Sequence, residues 1–297
     1  MKIALHDEHR LLDRFEFSKH VELSTLKDAD CLVAVNEDLG FDKGKTVLLM
    51  MEPYGVDGSE EYFDRSEEYL MFATYDRSRC RELFFCKDAS VWPMEPVHRL
   101  RQNTMGSLSD RSVYFAGQTF GSKSDGKTIY HLRKRIVSGL EKRGLHVFAV
   151  GRGFSGQTAN NFSRIVTVRV AKMREIVSTG TAFVLCMENT ITPGYVSEKF
   201  HDGILSRRVP LYLGCPNIED YVPTDMFVDL RDFYDGDTVD IDGVFDRLMT
   251  MTEDEYGSIL AAGESWLNTF DNGAFAVWQK RMCRRILKLL GVEGVSE

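Results

Sequence analysis

Two short, wholly apolar runs, residues 182–187 and 209–213, flank a polar turn and an amphipathic stretch of helical length. Runs of that size and composition fit strands buried on both faces, as in the interior of a parallel sheet. Parallel neighbours cannot be joined by a hairpin, so the chain between them must cross over. Pro193-Gly194 breaks the backbone after the first run, and a helical pattern is predicted from Tyr195 to about Arg208. Glu188 and Asn189 then stand at the C-terminal end of a strand, where open α/β sheets bind their ligands. Glu198 and Lys199 fall in the first helical turn, where backbone N–H groups and the dipole favour an anion. A lysine there answers a phosphate.

The same alternation extends over the whole chain. Residues 2–5, 31–35, 46–51 and 69–74 read as strands, separated by charged stretches long enough for crossovers. A second series follows, with strands at 113–116, 146–150 and 226–228 and helices at 129–143 and 163–178. Three further helices are predicted over 240–251, 252–268 and 274–290. The fold class is therefore α/β with two Rossmann-like halves. The polar stretch 101–111 marks the break, giving an N-terminal domain over 1–108 and a C-terminal, nucleotide-binding domain over 109–297.

A net charge of −8 argues against bulk nucleic-acid binding, which needs a dense basic surface, but a small anion needs only a local pocket. The first residues turn polar after position 5, unlike a signal peptide or anchor, and no apolar run suits a membrane span. Cys31, Cys80, Cys86, Cys186, Cys215 and Cys283 show no metal-ligand spacing, so buried, reduced thiols and a cytoplasmic location are expected. The basic, amphipathic run 279–290 fits a terminal helix bracing the N-terminal domain better than one lying on a membrane, where its contact would be weak.

Three motifs carry a family likeness: Glu188-Asn189-Thr190, Tyr195-Val196-Ser197-Glu198-Lys199, and Val209-Pro210-Leu211-Tyr212-Leu213-Gly214. This pattern resembles the signature of the α1,3/α1,4-fucosyltransferases, glycosyltransferase family ten. The resemblance implies the GT-B architecture, two Rossmann-like domains facing a cleft, with a C-terminal helix that crosses back. It implies an inverting transfer of fucose from GDP-fucose to a glycan hydroxyl. Related GT-B transferases using another donor, such as UDP-xylose or a UDP-hexose, and a non-catalytic glycan- or nucleotide-binding module remain the alternatives.

Such a reaction needs cations for the departing diphosphate and a base for the attacking hydroxyl. Lys199 is the first cation. The second is Arg133, which counting back from Leu140 favours over Arg135 two residues on, in a helix whose start supplies a phosphate-binding arginine in the family. The family pattern places Glu188, Asn189, Tyr195 and Glu198 on the donor, and Gly151 and Arg152, in a Gly-Arg-Gly segment, on its nucleotide side. Glu52 ends the apolar strand 46–51 and is followed by proline, matching the family's proposed base. The resemblance implies charge neutralisation by lysine and arginine, with no metal ligands and no required cofactor. Asp28-Ala-Asp30, Asp235-Gly-Asp237 and Asp240-Ile-Asp242 read as solvated loops rather than metal sites, since none ends an apolar strand.

Overall fold

The computed structural model describes residues 1–7, 17–50, 59–74, 82–83, 105–117, 128–151, 153–154, 169–269 and 272–292. The chain divides into two compact units, Met1–Pro93 with Asp271–Glu297, and Met94–Phe270. The expected boundary at 108/109 thus lies some residues late, and the last 27 residues belong with the first unit rather than the second.

The first unit carries a six-stranded, all-parallel sheet in the order β2-β1-β3-β4-β5-β6. Its strands are β1 (Lys2–His6), β2 (Glu22–Leu23), β3 (Cys31–Val35), β4 (Thr46–Leu49), β5 (Met71–Thr74) and β6 (Glu82–Leu83). The short strands β2 and β6 give no periodic signal and were not anticipated. Described crossovers here hold only 3-10 turns and the five-residue helix α1 (Glu60–Asp64), because most are too short for a longer helix. One sheet face therefore takes its helix from the far end of the chain. Ile3, Val33, Val35, Val47 and Leu49 pack with Met282, Cys283, Ile286 and Leu287 of the C-terminal helix, Asn272–Leu289. The basic side chains Lys280, Arg281, Arg284, Arg285 and Lys288 lie exposed on that helix, so the terminal run is a brace, as its amphipathic pattern suggested.

The second unit carries β7 (Val113–Ala116), β8 (Val147–Val150), β9 (Phe183–Met187), β10 (Val209–Leu213) and β11 (Val228–Asp229). They form an all-parallel sheet in the order β11-β10-β9-β7-β8. Alternate residues face opposite cores. Phe183, Leu185 and Met187 join Leu132, Ile136 and Leu140 of α2 (Tyr130–Lys142) and Val244 and Leu248 of α5 (Ile241–Thr250). Val184, Cys186 and Tyr212 join Met173 and Ile176 of α3 (Arg169–Thr179) and Phe200 and Ile204 of α4 (Glu198–Leu205). Both faces are covered, which is why the strands read as unbroken apolar runs. Helix α6 (Glu253–Thr269) follows, and the C-terminal helix is α7.

Pro210 sits inside β10, where a missing N–H would normally cost a ladder bond. Val209 donates its N–H to Ala182 of the β9 side, so Pro210 faces the β11 side. Pairing with β11 begins only at Leu211, and no ladder bond is lost.

Chain order and sheet order reverse between β7 and β9. The crossovers leave these neighbours in opposite directions, and such a switch point opens a crevice at the C-terminal strand ends. Arg133, Glu188, Asn189, Ser197 and Lys199 converge there.

Candidate active site

The site is built on the turn after β9. Thr192-Pro193-Gly194-Tyr195 forms a β-turn closed by Tyr195 N–H to Thr192 O at 3.1 Å. Gly194 takes φ +80°, the conformation that favours glycine at this place after proline. Its N–H bonds Asn217 Oδ1 at 3.0 Å and Cys215 Sγ at 3.2 Å, tying the turn to the segment after β10. Helix α4 begins at Glu198, three residues later than the Tyr195 start expected, because Ser197 is an extended N-cap with φ −91° and ψ −176°. Glu198 and Lys199 nevertheless occupy the first turn, as the pattern required.

Glu188 differs from its expected role as a donor contact. Its side chain is fully buried, with Oε1 accepting from Ser197 N at 2.7 Å and Oε2 from Ser197 Oγ at 2.5 Å. Lys199 Nζ lies 3.5 Å from Oε2 and 3.7 Å from Glu198 Oε1. Burial pushes the Glu188 carboxyl above its ordinary range, and Lys199 and the Ser197 bonds pull it back. Gly214 makes room for this carboxylate: a Cβ there would stand 2.3 Å from Glu188 Cγ and 2.6 Å from the Tyr212 hydroxyl. Gly214→Ala should therefore lower stability by about 1–3 kcal/mol through overpacking, measured by denaturant unfolding.

Arg133 is only 2% exposed and lies under the same turn. Its Nη2 donates to Glu188 O at 2.8 Å, Met187 O at 3.1 Å and Asn189 Oδ1 at 2.9 Å. Its guanidinium stacks 4.5 Å from the Tyr130 ring centre. Burial lowers its pKa, opposed by Tyr130, Tyr195, Glu188 and Glu198, which gather around it; an arginine stays charged even so. Arg135, two residues on, is exposed, so Arg133 is the arginine that the helix aims at the strand end. The backbone repeats the connection, with Ile129 N–H on Asn189 O at 2.9 Å. Asn189 is half-buried; with its amide oxygen held by Arg133, its amide nitrogen is the group it can offer a ligand.

Tyr195 is buried beside this cluster, and Gly151 closes β8 at the same sheet edge with φ +143°. Arg152 and Glu52 lie outside the described residues, as do Cys80 and Cys86. The Asp-x-Asp pairs in this unit serve local structure: Asp240 caps α5 through Gly243 N, and Asp235 accepts from the N–H groups of Asp237 and Thr238. Sequence reasoning missed Ser197 and Tyr130. Ser197 carried a usable signal, being a serine directly before a helical pattern. Among the described residues, no helix is long and apolar enough to cross a membrane.

Two parallel doubly wound units, with cations converging on a strand-end switch point, define the GT-B class of glycosyltransferase folds. The model of glycosyltransferase family 10 (fucosyltransferase), C-terminal part, matches residues 121–284, more than half of the chain. The chain belongs to this family. It is similar to mouse 4-galactosyl-N-acetylglucosaminide 3-alpha-L-fucosyltransferase 9, with 30% identity over 105 residues, 35% of this chain and 26% of the mouse protein. It is also similar to an Arabidopsis thaliana alpha-(1,4)-fucosyltransferase, with 43% identity over 47 residues, 16% of this chain and 12% of the plant protein. The chain thus aligns with about a quarter or less of the length of these relatives. Among solved structures, an alpha1,3-fucosyltransferase crystallised with GDP-fucose shares the fold, with a TM-score of 0.57 and 16% identity. That match covers 95% of this chain and 90% of that one.

Proposed function

We propose that this protein transfers fucose from GDP-fucose to a hydroxyl of a glycan acceptor, with inversion at the anomeric carbon. The observation that carries the reading is the pairing of Lys199, in the first turn of α4, with Arg133 beneath the β9 turn, at a switch point. A doubly charged diphosphate is the natural ligand of two cations and a helix N-terminus. Family membership supports fucose as the sugar.

In this reading the acceptor oxygen attacks the anomeric carbon as the bond to the β-phosphate oxygen breaks on the opposite face. Glu52 takes the acceptor proton, and GDP leaves carrying the bonding electrons. Lys199 and the charge of Arg133 stabilise the diphosphate as its negative charge grows. Asn189 and Glu198 orient the donor through hydrogen bonds, Tyr195 packs beside it, and Gly151 and Arg152 line its nucleotide side. The lysine and arginine charges replace a metal ion in this scheme.

Thermal unfolding with GDP-fucose, GDP-mannose, UDP-xylose, UDP-galactose and UDP-GlcNAc tests the donor. At about 100 times Kd the true donor should add about 2.7 kcal/mol of stability. GDP-fucose should stabilise the protein and be slowly hydrolysed. A UDP-sugar acting alone would replace the proposed donor, and stabilisation without turnover on any offered acceptor would point to a binding module.

A further inference from the structure

We propose that Glu188 and Ser197 are positioning residues for Lys199, forming a carboxylate–hydroxyl–ammonium chain that fixes where the lysine meets a nucleoside diphosphate. This deepens the reading above and rests on the Lys199–diphosphate contact. The geometry sets the direction of each bond. A serine hydroxyl has one proton, and here it goes to Glu188 Oε2 at 2.5 Å. The lone pairs of Ser197 Oγ are then left to accept, and Lys199 Nζ donates to them at 2.9 Å. The carboxylate is held in place: its other oxygen accepts from Ser197 N, and its stem lies against Gly214, where an added Cβ would stand 2.3 Å from Cγ.

The chain does for Lys199 what its own side chain cannot. A lysine stem has many rotamers, and holding it before the ligand arrives removes part of the ordering cost of binding. The 3.5 Å separation of Nζ from Oε2 keeps the charges close without placing the ammonium directly on the carboxylate. Glu198 Oε1 faces the same ammonium from α4 itself, and Arg133 of α2 flanks Glu188 from below.

The test compares affinities for GDP, GMP, UDP and UMP by calorimetry in wild type, Lys199→Ala, Ser197→Ala, Ser197→Thr and Glu188→Gln. A purely structural role for Ser197 as helix cap would lower thermal stability and weaken mono- and diphosphates alike. The positioning role predicts that Ser197→Ala and Glu188→Gln each cut the diphosphate-over-monophosphate preference by about tenfold, while Ser197→Thr keeps it. These variants attack the chain from two ends, so either one that folds carries the test. If Lys199→Ala loses the preference while Ser197→Ala and Glu188→Gln retain it, the positioning chain is overturned and the donor reading stands. If Lys199→Ala retains it, or the wild type has none, both fall. A preference shown for UDP over UMP, with none for GDP, removes GDP-fucose as donor but leaves the chain supported.

Discussion

Replacing Lys199 with alanine is expected to lower kcat/KM for the sugar donor by about 10²–10³, the loss typical of deleting one donor to a developing negative charge. Two effects combine, and they can be separated. The first is on ligand binding and leaving-group stabilisation. The second is on folding, because the fully buried Glu188 loses its cationic partner. Breaking a buried ion pair from one side typically costs about 3–5 kcal/mol.

The double variant Lys199→Ala/Glu188→Gln should recover much of that stability and none of the activity. Recovery of both would mean that Lys199 serves the fold alone. The destabilisation should also depend on pH. Glu188 already sits above its ordinary value of 4.5 in the folded state, and losing Lys199 raises it further. Such a group is fully tolerated below its unfolded value and costs stability as pH rises through its folded value. Unfolding of Lys199→Ala should therefore approach wild type in mild acid and diverge toward neutrality.

The second large effect is expected at Glu52. Glu52→Gln should leave GDP affinity near wild type and reduce transfer by about 10²–10⁴, the usual contribution of a positioned general base. Glutamine keeps the size and hydrogen-bonding capacity of the side chain but cannot take a proton. Single-turnover kinetics alongside calorimetry separates the two quantities. Transfer at near wild-type rate in this variant would assign the base elsewhere. In the sequence Glu52 comes three residues after the end of β4.

What was legible in advance follows from short-range physics. The strands at 113–116 and 31–35 emerged where apolar runs placed them, since a doubly covered sheet demands such runs regardless of context. Pro193-Gly194 announced its turn because proline locks its own φ and glycine readily takes the positive φ, here +80°, that the next position needs. The short strands β2 and β6 were not legible, having too few residues for any period to appear.

The amino-acid order by itself determined the parallel α/β class, the βαβ unit from β9 to β10, and the placing of Lys199 in a helical first turn. Each depends on residues within one or two turns of one another. Only the tertiary structure decided that Arg133 rather than Arg135 lies under the β9 turn, and that Glu188 is buried behind Ser197. It also decided that α7 completes the first unit's core. Those outcomes rest on contacts that reach beyond a single element, from the nine positions between Glu188 and Ser197 to the 55 between Arg133 and Glu188, where packing and desolvation choose among side chains that local pattern leaves equivalent.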